Sequence, residues 1–142
     1  MIYGKGSKGN YPKLSFLAQK LPVFPEAQNK RSMLFIENLC EFVGQLILSG
    51  CGGVWFPQNG EYSNTGELVR TIAKVHGKKI YLSQAGNFAV AVGRRMPIKK
   101  IRGLCSKAFD SSYYDMGLSV YKGLDYQKIS LEESIWLTER NT

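Results

Sequence analysis

Histidine, cysteine and acidic residues are scarce in this chain, and long apolar runs are absent. One of its 142 residues is histidine, three are cysteine, and 11 Asp and Glu stand against 19 Lys and Arg. His76 precedes Gly77 at the end of a helix-like segment, where an imidazole ordinarily caps the last carbonyls. With no second histidine, no Ser/His/Asp or Cys/His pair can be built elsewhere. Cys40, Cys51 and Cys105 are odd in number and unrelated in spacing, which excludes a disulfide framework; without a C-x-x-C or a Cys/His cluster there is no zinc signature. Reduced thiols in a cytoplasmic protein are the expectation. The longest apolar stretch, Leu46 to Phe56, is interrupted by Ser49, Gly50, Gly52 and Gly53, and falls short of the ~20 residues that a bilayer-spanning helix needs. No membrane partner is expected, and the opening MIYGKGSKGNYPK, without an apolar core, predicts no secretory signal. A P-loop pattern, G-x-x-x-x-G-K-[ST], is also missing.

What remains is a core-forming composition, 44% hydrophobic and 12% aromatic, of a length suited to one domain over residues 1–142. The net charge of +8 is concentrated in Lys5/Lys8/Lys13, Lys30/Arg31 and Arg94/Arg95/Lys99/Lys100/Arg102. Such an excess suits nucleic acid, an anionic surface or a phosphorylated small molecule. No RRM, KH, helix-turn-helix or zinc pattern accompanies it, so nucleic acid is the alternative partner and not the leading one.

Periodicity divides the chain into alternating strands and helices. A helix opens near Pro12 and carries Leu14, Leu17, Ala18 and Leu21 at helical spacing. Leu21–Pro25, with two prolines, is an extended or turning connection. Arg31 to Ile36 reads as a strand, followed from Glu37 by a helix with Leu39, Phe42, Val43, Leu46 and Ile47 on one face. Val54-Trp55-Phe56 reads as a short buried strand. Asn64 begins a helix with Leu68, Ile72 and Val75 inward, and Lys79–Leu82 alternates as a strand. Pro97 opens a helix carrying Ile98, Ile101, Leu104, Cys105, Ala108 and Phe109. Tyr113–Asp115 is a candidate strand, and Ser130-x-x-Glu133 is a capping box for a last helix through Thr138. Strands alternating with helices point to the α/β class or to a mixed α+β domain.

Two motifs bear on chemistry. Gly4-Lys5-Gly6-Ser7-Lys8-Gly9 spells G-x-G-x-x-G, but only three residues precede it and Asn10-Tyr11 intervene before a helix. A dinucleotide fingerprint needs a central strand, a helix opening on the glycines and a downstream acid at a strand end. Glu26 instead lies in a proline-bounded loop. Arg31 opens an otherwise apolar strand, a rigid place from which a guanidinium can grip two phosphate oxygens, although a strand-edge arginine also serves as a surface ion-pair partner.

Several segments, in order, resemble the extended short-chain dehydrogenase/reductases, the group of nucleotide-sugar epimerases and dehydratases that includes UDP-glucose 4-epimerase. Met1-Ile2-Tyr3-Gly4 is similar to the V-Y-G element after the sixth strand of their sheet. Arg31-Ser32-Met33-Leu34-Phe35-Ile36-Glu37-Asn38-Leu39 resembles R-D-[FY]-[IV]-[YH]-V-x-D-[LV], with Ser32 and Asn38 in place of two acids. Val54 through Leu68 is similar to the following strand and helix, Tyr114–Ser119 to a degenerate D-x-S-K region, and Ser130–Ile135 to the last helix.

The resemblance covers only the C-terminal, substrate-binding half of the family. It implies the C-terminal portion of an NAD(P)-binding, Rossmann-like fold, with the dinucleotide-binding half absent. By position, Arg31 would contact the diphosphate of a UDP-sugar or similar nucleotide sugar, with Arg102 as the second arginine. Asn10 would hydrogen-bond the nucleotide, Val23 and Phe24 would line the base pocket, and Tyr3 and Gly4 would border the nicotinamide of NAD. The family's catalytic Y-x-x-x-K has no counterpart, since none of the eight tyrosines is followed four residues later by lysine. The chain alone is therefore expected to be non-catalytic, to hold no cofactor tightly, and to leave apolar surface through which copies could associate.

Overall fold

A computed structural model describes residues 1–95 and 97–140, apart from the side chains of Ala89, Arg94, Lys100, Ile101, Arg102, Leu104 and Cys105. The elements run β1 (Ile2–Tyr3), α1 (Tyr11–Lys20), β2 (Val23–Pro25), β3 (Leu34–Phe35) and α2 (Ile36–Ser49). They continue with α3 (Thr65–Val75), β4 (Tyr81–Ser83), α4 (Gln84–Arg95), α5 (Lys99–Phe109), a 3-10 turn (Met116–Ser119) and α6 (Leu131–Glu139). Strands pair in parallel as two short ribbons, β1 with β3 in the register Tyr3–Phe35, and β2 with β4 in the register Phe24–Leu82. Parallel pairing of strands joined through helices is the α/β arrangement that the sequence implies.

Local chemistry explains most element ends. Pro12 sits in the first turn of α1, where its missing N–H leaves no helical bond unmade. Asn64 caps α3 by accepting from the amides of Gly66 (2.9 Å) and Glu67 (3.1 Å), and Ser130 caps α6 by accepting from Glu133 (3.3 Å). Gly50 ends α2 at φ 64°, a left-handed turn that glycine adopts without a Cβ penalty.

Two aromatic-rich clusters hold the elements together. The larger gathers Tyr3, Tyr11, Leu14, Phe24, Met33, Phe35, Leu68, Ile72 and Ile135, so α1, α3 and α6 close over both ribbons. The smaller packs Leu34, Phe42 and Tyr126 beneath α2, with Trp55 and Tyr121 edge-on to one another at 4.9 Å. Between them runs a buried amide network. Asn59 accepts from the amide of Phe35 (2.9 Å) and donates to the Tyr3 hydroxyl (3.0 Å). Asn38 donates to Ile129 O (2.9 Å) and accepts from Ile129 N (3.1 Å).

Three of the expected strands differ from the structure. The strand beginning at Arg31 is confined to Leu34–Phe35, because Arg31 itself bridges Ser63 through its own N–H and C=O and also pairs with Ser112. Val54–Phe56 forms no strand: the Phe56 amide donates to the Tyr121 hydroxyl (2.7 Å) instead of to a neighbouring backbone, and Val54 is exposed. Tyr113–Asp115 is not a strand either, since Tyr114 donates to Ser32 Oγ and Asp115 caps the 3-10 turn. Helix α4 lies where the sequence reading placed no element. Of the apolar face foreseen on α2, Phe42 is buried, but Val43 is 43% and Ile47 74% exposed. Among the described residues no helix is long and apolar enough to cross a membrane.

Candidate binding groove

Arg31 and Asn10, far apart in the chain, line one groove. Its volume is about 520 Å³, and Lys13, Phe16, Leu17, Lys107 and Phe109 are among its other walls. The backbone of Arg31 is clamped on one side by Ser63 (2.9 and 3.0 Å), while the flanking Lys30 and Ser32 bond to Ser112 on the other (2.9 and 3.0 Å). The side chain therefore leaves a fixed base. Its Nη1 donates to the carbonyls of Lys107 (2.7 Å) and Ala108 (3.0 Å) at the C-terminal end of α5, which helical bonding leaves open. Among the described residues, Nε and Nη2 make no hydrogen bond. Burial pulls the Arg31 pKa below the ordinary arginine value, and Asp110 opposes that shift.

Asn10 stands at the N-cap of α1, yet its side chain makes no capping bond. The carboxamide is thus available at the groove, beside the first amides of a helix with no acid in its first turn. Lys13 and Lys107 add charge at the rim, and the remaining walls are apolar. An anion held beside an apolar surface is what this combination accommodates.

Not every expected site residue joins this groove. Val23 is exposed on β2, and Phe24 is 4% exposed and packed into the core against Phe109 at 5.7 Å; neither lines it. Tyr3 is fully buried, stacked on Tyr11 at 5.2 Å, with its hydroxyl bonded to Ser134 and Asn59. Burial drives its pKa up and those hydrogen bonds only partly offset the rise. It presents no ring face to a cofactor. Gly4 lies against Ile36, so closely that a Cβ there would collide with the isoleucine side chain. Arg102 lies on α5, but its side chain is outside the described residues. Lys107 and Phe109, walls that the sequence reading did not single out as ligand contacts, owe their place to the latch between Arg31 and the end of α5. That latch spans 76 positions and leaves no local signal.

No protein-family model and no curated protein sequence matches the chain. Comparison of structures finds similarity to UDP-glucose 4-epimerase of Thermus thermophilus in complex with NAD. The match has a TM-score of 0.58 and 16% identity, and covers 98% of this chain but 43% of that one. A UDP-N-acetylglucosamine 4-epimerase from Bacillus cereus matches at 16% identity over 98% of this chain and 44% of that one, with a TM-score of 0.48. The chain thus spans less than half the length of these solved structures. Its short parallel strands, joined through helices, take the α/β fold of part of the Rossmann-like epimerase that it matches.

Proposed function

We propose that the chain is the nucleotide-diphosphate-sugar-binding portion of an NAD-dependent sugar epimerase or dehydratase. The observation that carries this reading is the groove in which Arg31, Asn10, Lys13 and Lys107 surround an apolar channel. A diphosphate offers several oxygens to the Arg31 fork and the lysines, and the nucleoside offers an apolar face to Phe16, Leu17 and Phe109. These residues bind and orient; they supply no group that could take a hydroxyl proton at a sugar carbon.

NAD belongs to the complete enzyme in this reading, in keeping with the NAD complex of the Thermus enzyme. The residues of this chain do not fit a dinucleotide. β1 is two residues long, the Gly4–Gly9 loop runs into the Asn10 cap instead of opening a helix directly, and Tyr3 is buried. The chain alone is accordingly non-catalytic. Two-stranded ribbons and a bare outer face on α2 are what part of a larger sheet leaves uncovered.

Calorimetric titration with UDP tests the reading. The chain binds UDP, and Arg31→Ala weakens binding by about 10- to 100-fold, the usual range for losing hydrogen bonds to a charged group. Equal binding by the variant, with its melting temperature recorded to confirm folding, would sink the role given to Arg31.

A further inference from the structure

Between Glu67 and Asp110 the chain carries no acid, and ten of its 19 Lys and Arg fall there. Arg70 and Lys74 are paired with Glu67 and Glu132, and Lys78 donates to Gln19 O. Five of the others, Arg94, Arg95, Lys99, Lys100 and Arg102, fall within nine positions around the turn from α4 into α5. Arg95 and Lys99 are exposed, and among the described residues neither is paired with an acid. Apolar side chains stand among these charges. Helix α4 packs on β2, β4 and α5. Phe88 and Val92, one turn apart on its outer side, remain 76% and 47% exposed, and Ile98 in the turn is 49% exposed. Arg95 continues that face, three positions after Val92. The acids that share walls with α4, Glu26 and Asp110, line a hollow with Asn87, Val90 and Ala91, on another flank of the helix. Open apolar side chains grouped and rimmed in this way mark an interaction surface.

We infer that the outer face of α4 and the turn into α5 dock on an anionic lipid bilayer, lying in its headgroup layer. Charge complementarity selects the partner. An acid-free stretch is drawn to an anionic leaflet at every cation, whereas a second copy of this chain would set like charges against one another. Nucleic acid also answers the charge, but it is held by stacking bases on aromatic planes, and Val92 and Ile98 offer none. Those aliphatic side chains and Phe88 reach instead into the boundary between headgroups and acyl chains, as the apolar side of an interfacial helix does. The lack of a spanning helix does not bear on this contact, because α4 lies along the surface. None of Phe88, Val92, Arg95, Ile98 and Lys99 lines the Arg31 groove, so the inference stands apart from the nucleotide-sugar reading.

Sedimentation of the full chain with lipid vesicles tests it. The chain partitions onto vesicles of phosphatidylcholine mixed with phosphatidylglycerol about ten-fold or more strongly than onto phosphatidylcholine alone. Phe88→Ser weakens that partition about ten-fold, as withdrawing one buried aromatic side chain should. Lys99→Gln weakens it about five-fold, the equivalent of the ~1 kcal/mol that one cation gains near such a surface. Both residues are exposed, so neither variant threatens the fold. Ile47→Ser, on the open face of α2, leaves partition unchanged and separates this face from apolar exposure in general. No preference for the mixed vesicles overturns the inference, and so does a partition that Phe88→Ser leaves intact. A loss in Ile47→Ser equal to that in Phe88→Ser also overturns it. Tighter binding of a single-stranded oligonucleotide, weakened by Phe88→Ser in the same proportion, overturns it by giving the face to nucleic acid.

Discussion

Single side chains in this protein carry more than one duty. Arg31 commits one nitrogen to the open carbonyls of α5 and is also a wall of the groove. Its value as a candidate was legible, since an arginine opening an apolar segment invites that reading. Its latch was not, because Lys107 lies far along the chain. Asn38 shows the same limit. In sequence it stands where the resembling family has an acid, which says nothing of its job. In the fold its amide donates to Ile129 O and its carbonyl accepts from Ile129 N, tying α2 to the segment that leads into α6. A carboxylate has no N–H to give. Asn38→Asp would set a charge against the oxygens of Ile129 and Asn59 in a buried site, and the expected cost is about 2 kcal/mol or more in a urea unfolding curve. A variant as stable as the parent would show that this amide pair holds nothing.

At the level of elements, helices with chemical punctuation were readable and those without it were not. Asn64 and Ser130 mark the starts of α3 and α6 by side-chain chemistry that acts within three residues. Helix α4 carries no such mark: Gly86 and Gly93 weaken its propensity, and Phe88 to Val92 alternates large and small residues as a strand would. Packing settles it. A Cβ at Gly86 would come within 3.0 Å of the Pro25 backbone, so the glycine is what lets α4 lie directly on β2. Gly86→Ala therefore sets two effects against one another. Helix propensity favours alanine by up to ~1 kcal/mol, whereas overpacking against backbone costs about 1–3 kcal/mol. The clash wins, and the variant should melt lower than the parent in a thermal unfolding scan. A higher melting temperature would mean that α4 does not rest on β2.

For the molecule as a whole, alternation of strand and helix indicated the class, and the order of weak motifs pointed to the fold that the Thermus epimerase shares. How the four strands divide into two ribbons was illegible, since strands this short are chosen by tertiary contacts and not by their own pattern. Both clusters that close over these ribbons contain buried tyrosines, and this sets a shared alkaline limit. Burial raises the pKa of Tyr3, Tyr11 and Tyr126, with Glu139 adding to the rise at Tyr11. In the unfolded chain a tyrosine titrates near ~10. Below that pH both states hold these protons and their contribution to stability is complete. Above it the unfolded state releases protons that the folded state retains, so stability falls as pH rises toward the folded values. Unfolding midpoints in urea should hold steady up to pH ~10 and then drop. The tyrosinate absorbance of these three residues should appear together with the loss of near-ultraviolet circular dichroism. Ionisation of all eight tyrosines with that dichroism intact would show that the three hydroxyls are not held inside, and with them the packing of β1, α1 and the segment before α6 would have to be redrawn.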